Sequence, residues 1–151
     1  MKQSDAFDRF DRASAELDAT RFAIAHVVAR WTEDPRVFAT VREARVTLSE
    51  LRRAAENLEM TFVLRLFSEF EGVLRDYWAN GIGKRTEPEM RPLMNGIAAR
   101  RHMNAGDLAG AHEIREYRNE IIHEGLRTPH FDVPECERAI GMYVRWLPLQ
   151  W

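Results

Sequence analysis

The stretch RVFATVREARVTLSELRRAAENLEMTFVLRLFSEFE, residues 36–71, contains neither glycine nor proline, and neither does the run from Met1 to Asp34. Runs of this length without a breaker read as long helices. Between them, Thr32-Glu-Asp-Pro35 reads as a turn, with Pro35 at the first helical position of the next element. The first helix is predicted from about Ser4 to Trp31, with Phe7, Phe10, Leu17, Ile24 and Val28 on its apolar side. A second helix follows Pro35, carrying Val37, Val41, Ala44, Leu48 and Leu51 at helical spacing. The chain is expected to turn near Asn57 to Thr61. A third helix then runs to about Asn80, where Gly81-Ile-Gly83 stops it.

The pattern continues to the other end of the chain. A shorter helix is predicted from near Pro88, including Met90, Leu93, Met94, Ile97 and Ala98. Asn104-Ala-Gly106 breaks it, and Asp107 is expected to cap a fifth helix from about Leu108 to Glu124, ended by Gly125. Thr128 to Pro134 reads as a loop, and a last helix from about Pro134 to Trp146 carries Ala139, Ile140, Tyr143 and Trp146. Nothing has the two-residue period of a strand. The expectation is an all-α fold, an antiparallel bundle of about five to six helices forming one domain over residues 1–151.

Composition narrows the function classes. The 151 residues carry a formal net charge of -2, which excludes a globally basic nucleic-acid binder but not a local basic patch. Of the 22 basic residues only Lys2 and Lys84 are lysine. Arginine suits bidentate oxyanion recognition, although genome composition gives the same bias. Cys136 is the single cysteine, so no internal disulfide forms, which favours a reducing compartment. The N-terminus, MKQSDAFDRF, has acids where a signal peptide needs an apolar run, and no apolar stretch reaches the ~18 residues that span a membrane. The expected location is the cytoplasm, without membrane partners.

Two charged residues fall among apolar ones. Leu64, Phe67, Glu71, Leu74 and Trp78 recur at alternating spacings of three and four, which places Glu71 in the middle of an apolar stripe. A carboxylate there requires a partner. On the fifth helix, Ile114, Tyr117, Ile121 and Ile122 define an apolar arc with Arg118 inside it. Its partner is Glu71, another acid, a second subunit or a phosphate. Opposite lie His112, Glu116, Asn119 and His123, a stripe that reads as a solvated face or, with two imidazoles, as a place for proton transfer. His112 and His123 are ~16 Å apart along an ideal helix axis, too far to share a metal ion, and no other His/Cys spacing suits one. No metal or other cofactor is expected.

The segment Arg118-Asn-Glu-Ile-Ile-His123 resembles the signature of the HEPN superfamily: an arginine, then a polar residue, then a histidine a few positions later. Arg118, Asn119 and His123 match all three. The motif follows Tyr117 near the end of a late helix. Upstream, Phe67-Ser-Glu-Phe-Glu-Gly-Val-Leu-Arg-Asp-Tyr-Trp78 looks like the earlier core helix of HEPN proteins of the RiboL-PSP-like type. The resemblance covers roughly Thr61 to Trp146.

It implies a helical bundle that dimerises by packing the motif helices of two subunits. It also implies a metal-independent endoribonuclease of a toxin–antitoxin or phage-defence system, whose partners are RNA and a cognate antitoxin protein. Other members of the superfamily are inactive and serve as binding or assembly modules. In the ribonuclease reading His123 is the proton-transfer group, Arg118 stabilises charge on the phosphate and Asn119 orients the imidazole or bonds the phosphate. Glu71 and Tyr117 support them, and Arg100, Arg101, His112 and Arg115 are candidate RNA contacts. Arg118 and His123 are ~140° apart on an ideal helix, so a two-fold cleft that juxtaposes two motifs solves a geometry that one subunit does not. Besides the ribonuclease, a non-catalytic module binding nucleotide, RNA or a partner, and a helical protein with a merely structural Arg118, remain open.

Overall fold

The computed structural model describes residues 1–31, 33–124 and 130–151. Among these residues the chain is all-α: α1 (Gln3–Arg30), α2 (Pro35–Glu43), α3 (Leu48–Asp76), α4 (Met90–Arg101), α5 (Ala105–Glu124) and α6 (Val133–Val144), with one π-helical turn at Tyr77–Gly81 closing α3. Among the described residues no helix is long and apolar enough to cross a membrane.

The turn expected near Asn57 lies ten residues earlier. α2 ends at Glu43, and Arg45, with φ 55°, takes the left-handed conformation that ends a helix. Thr47 and Glu50 then form a capping box: Glu50 N–H donates to Thr47 Oγ1 at 3.2 Å and Thr47 N–H to Glu50 Oε2 at 2.7 Å. Once started there, α3 runs through Asn57–Thr61 without interruption, because neither asparagine nor threonine breaks a helix whose other face is packed. Thr32 lies outside the described residues, but Asp34 and Pro35 open α2 as expected, with Arg36 N–H donating to the Asp34 carboxylate at 2.9 Å.

α1 and α3 lie antiparallel, tied by the ion pairs Arg9–Glu69, Arg65–Glu16 and Arg21–Glu59. Only the half near the N-terminus of α1 reaches the core. Ala6, Phe10, Ala13 and Leu17 are buried, whereas beyond Leu17, throughout α2 and up to Glu59 of α3 no described residue is. These segments make a projecting arm with α2 at its tip. The core proper joins α1 to Val63, Leu66, Phe70 and Leu74 of α3, Leu93, Met94 and Ile97 of α4, Ile114 and Tyr117 of α5, and Cys136, Ile140 and Tyr143 of α6.

The π-helical turn ends α3 at the glycines the sequence singles out. A Cβ on Gly81 would stand 2.4 Å from the Tyr77 ring, so only glycine fits, and Gly83 turns the chain with φ 74°. α4 and α5 form an antiparallel hairpin in which Asn95 faces His112 and Arg91 faces Glu116. The turn between them carries a correction: Asn104, not Asp107, caps α5, its Oδ1 accepting from Asp107 N–H at 2.8 Å. The Asp107 carboxylate is used elsewhere, accepting from Trp146 Nε1–H at 2.7 Å. α6 opens on an Asp132–Glu135 capping box and ends at Val144, two residues before the expected stop. The stop at Gly125 and the start of the loop at Thr128 lie outside the described residues.

The two ends of the chain meet. The Met1 ammonium donates to the Trp151 carbonyl at 2.7 Å, Gln3 N–H to Leu149 O at 3.0 Å, and Trp151 N–H to Met1 O at 3.0 Å.

Candidate functional site

α5 positions the motif. Its buried edge is Ala111, Ile114 and Tyr117, which lock the helix against the core and fix the angular position of every other residue on it. Tyr117 packs edge-on against Phe131 at 5.4 Å between ring centroids. Its hydroxyl is buried near the backbone of His130 and Phe131 without a well-formed hydrogen bond among the described residues, and burial pushes its pKa up. Tyr117 therefore holds the helix in place and is not presented to solvent.

Arg118, the next residue, sits at the edge of this packed face and is partly exposed. Its guanidinium lies 5.7 Å from the centroid of the Phe67 ring on α3, and its Nη1 donates to Asn119 Oδ1 at 3.0 Å. Among the described residues no carboxylate lies within salt-bridge distance of Arg118, and Glu71 is not its partner. An arginine stacked on an aromatic face, held by a neutral amide and open to solvent keeps its charge and several N–H donors for an anion.

His123 is exposed, a turn beyond Asn119 and one residue after Ile122, itself 47% exposed. Arg118 is directed to α3 while His123 faces solvent, so the structure brings Arg118 and Asn119 together but does not join His123 to them.

Glu71 does have a basic partner. Both Nε–H and Nη2–H of Arg75, one helical turn on, donate to its Oε1 at 2.8 and 2.6 Å. It is not in the core, however: the side chain is 29% exposed. The buried stripe of α3 is Val63, Leu66, Phe67, Phe70, Val73 and Leu74; Phe67 and Leu74 of the expected stripe belong to it, whereas Leu64, Glu71 and Trp78 fall at its edge, half-buried. Both series satisfy the three-and-four spacing, and the larger number of apolar residues on the former decides which side turns inward.

The polar stripe of α5 is not simply a solvated face. His112 Nε2 is hydrogen-bonded to Asn95 Oδ1 at 2.8 Å, and its Nδ1 is buried without a partner. Burial lowers the imidazole pKa, helped by the charges of Arg115 and Arg91 and opposed by Glu116. Glu116 accepts from both Arg91 and Arg115 at 2.9 Å. The Arg115 side chain is only 13% exposed and its Nε is buried without a partner. These α4 partners, Arg91 and Asn95, escape a reading of the sequence, although their spacing of four on one helix is the signal that would find them.

Arg100 and Arg101 are engaged at the other end of the hairpin. Arg100 lies 5.1 Å from the Trp78 ring, and Arg101 Nε–H donates to Trp146 O at 2.7 Å. The pairing of Asn95 with His112 and Arg91 with Glu116 sets Arg100 level with Asp107, ~24 Å along α5 from His123. The structure thus does not bring this arginine pair to the motif. Among the described residues no group of three or more His, Cys, Asp or Glu side chains is placed to hold a metal ion.

Comparison of the chain with family models, with curated proteins and with solved structures gave no match, so its placement rests on the residues themselves.

Proposed function

We propose that the protein is a metal-independent endoribonuclease in which Arg118, Asn119 and His123 act on the substrate's own 2′-hydroxyl and phosphate. The observation that carries this is Arg118, a motif arginine packed on Phe67, bonded to Asn119 and left without a carboxylate partner among the described residues. Such a group binds a phosphate and stabilises the charge that grows on its oxygens during transfer. His123, exposed on the same helix, takes the proton of the 2′-hydroxyl or protonates the leaving 5′-oxygen. The products are a 2′,3′-cyclic phosphate and a 5′-hydroxyl.

Because Arg118 and His123 point apart, the reading places the reacting phosphate between two motifs in a homodimer. Ile122 supports it, since an exposed apolar residue beside His123 gives the motif helix a contact for a second copy. The role of a toxin in toxin–antitoxin or phage defence, held by a cognate antitoxin, rests on the HEPN resemblance. The separation of Arg118 from His123 also favours a second reading, a HEPN module that binds RNA, nucleotide or a partner without cleaving.

The test incubates wild type and His123→Ala with mixed cellular RNA in EDTA and sequences the new ends. Cyclic phosphate ends from wild type alone support the ribonuclease. Equal cleavage by both proteins points to another source, and cleavage by neither supports the binding module. Light scattering across a micromolar concentration range tests the composite cleft, which a strict monomer rules out.

A further inference from the structure

The segment after α3 builds a cleft that the motif does not use. It has a volume of about 180 Å³ and is lined by Arg75, Trp78, Lys84, Arg85, Thr86 and Glu87, over Leu93 of α4. Sites that engulf a whole drug-sized ligand run to roughly 300–1,000 Å³, so this one is smaller than a site that encloses such a molecule.

The cleft is held open by its own backbone. Ile82 N–H donates to Tyr77 O at 2.9 Å and Lys84 N–H to Trp78 O at 3.0 Å. Trp78 Nε1–H donates to Thr86 Oγ1 at 3.2 Å, and Arg75 Nη1–H to Pro88 O at 3.3 Å. Four bonds therefore pin the loop that carries Lys84 and Arg85 to the end of α3. Trp78 is a wall and not a stacking platform, because Arg100 covers its ring at 5.1 Å and a Cβ on Gly96 would touch its edge at 3.2 Å.

Charge selects the group. Glu71 neutralises Arg75, but among the described residues neither Lys84 nor Arg85 has a carboxylate within salt-bridge distance, Glu87 of the same lining included. Two cations without a carboxylate partner among the described residues, Lys84 and Arg85, line the cleft at its exposed rim with the fixed Arg75 and the Thr86 hydroxyl, against the single carboxylate of Glu87. We infer that this cleft binds a single phosphate group, either from the backbone of a nucleotide chain or from a free phosphorylated molecule. Its lining shares no residue with Arg118, Asn119 and His123, and it does not require that the protein cleave RNA.

The experiment is calorimetric titration of the full chain, carrying His123→Ala so that no RNA is cut. The probes are inorganic phosphate, adenosine monophosphate and a short uridine oligoribonucleotide with a 5′-hydroxyl. The proposal expects at least one probe to bind. Lys84→Ala with Arg85→Ala should weaken that binding tenfold or more, with each lost contact lowering the salt slope for the oligonucleotide by about 1. Lys84→Gln with Arg85→Gln should do the same and guards against a folding defect. Arg52→Ala with Arg53→Ala, the same charge loss on the arm, should leave affinity unchanged. Tighter binding of the oligonucleotide assigns the backbone phosphate, and tighter binding of the small probes assigns a free one. Binding of no probe, or weakening by the Arg52/Arg53 pair equal to that by the Lys84/Arg85 pairs, overturns the site. Loss of cleavage in His123→Ala with intact phosphate binding separates this inference from the ribonuclease reading.

Discussion

Tyr143 of α6 reaches through the core to donate its hydroxyl proton to the main-chain carbonyl of Met94 on α4, at 2.6 Å. The same ring meets Phe70 of α3 edge-on at 5.4 Å. One side chain thus locks three helices that are far apart in sequence. Tyr143→Phe keeps the ring and removes the bond, so it should cost about 1 kcal/mol. In a chain of this size that lowers Tm by roughly 2–4 °C, read by thermal melting, with the urea m-value unchanged.

The motif residues should separate by what they touch. If cleavage uses them as proposed, His123→Ala lowers its rate by ~10²–10⁴-fold and leaves stability within about 0.5 kcal/mol, because the imidazole is exposed. Arg118→Ala lowers it by ~10²–10³-fold and also loses about 0.5–1 kcal/mol through the Phe67 ring. Single-turnover cleavage and urea titration of both variants check the pair. Equal destabilisation by the two would show that the packing of α5 is not as described.

Much of the architecture was legible in the sequence, and the errors have physical causes. The Met1–Asp34 run, the Pro35 start of α2 and the Gly81–Gly83 stop are local signals that packing does not override. The α2–α3 turn escapes the sequence because it contains no glycine or proline; Arg45 makes it in a left-handed conformation unusual for its residue type, and Thr47 restarts the helix. Period alone puts Glu71 on the buried stripe, because two stripes of α3 share the same period and only packing against the other helices selects one. At the site, Arg118, Asn119 and His123 were legible as a motif, whereas Phe67 beneath Arg118 and Asn95 beside His112 depend on how α3 and α4 dock, which no spacing on α5 encodes.

His112 gives stability a pH dependence. Its folded pKa is lowered, so the unfolded chain takes up the proton first as pH falls below about 6.5. More protons bound by the unfolded state means that stability rises with pH in this window. The His112 contribution is complete above the ordinary histidine value and is lost as pH falls from there to the lowered folded value. Arg91, Arg115, Glu116 and Asn95 all face the ring, so the shift belongs to the α4–α5 contact. Urea midpoints of wild type and His112→Asn across this range should differ in slope, and identical slopes would exclude the effect.

Cys136 should be inert in the folded protein. It is fully buried, and burial together with the charges of Asp132 and Glu135 pushes its thiol up to about 12, leaving almost no thiolate near neutral pH. A chromogenic disulfide reagent should modify it only as fast as the α6 region opens, and instantly in denaturant. Rapid reaction of native protein would mean that α6 leaves the core far more readily than its contacts suggest.

The clasp between Met1 and Trp151 makes the chain close to a ring. A short linker joining the two ends would span almost no distance, so the order in which the helices are synthesised is not fixed by the way they pack. New ends cut at Ala44–Val46, in the exposed turn at the tip of the arm, would leave every buried helix whole and lie at the opposite extreme of α1 and α3 from the clasp. The six helices among the described residues can thus be read as a cycle, in which the arm is a place where the backbone can be reopened without cutting either the α4–α5 hairpin or the surface that carries Arg118.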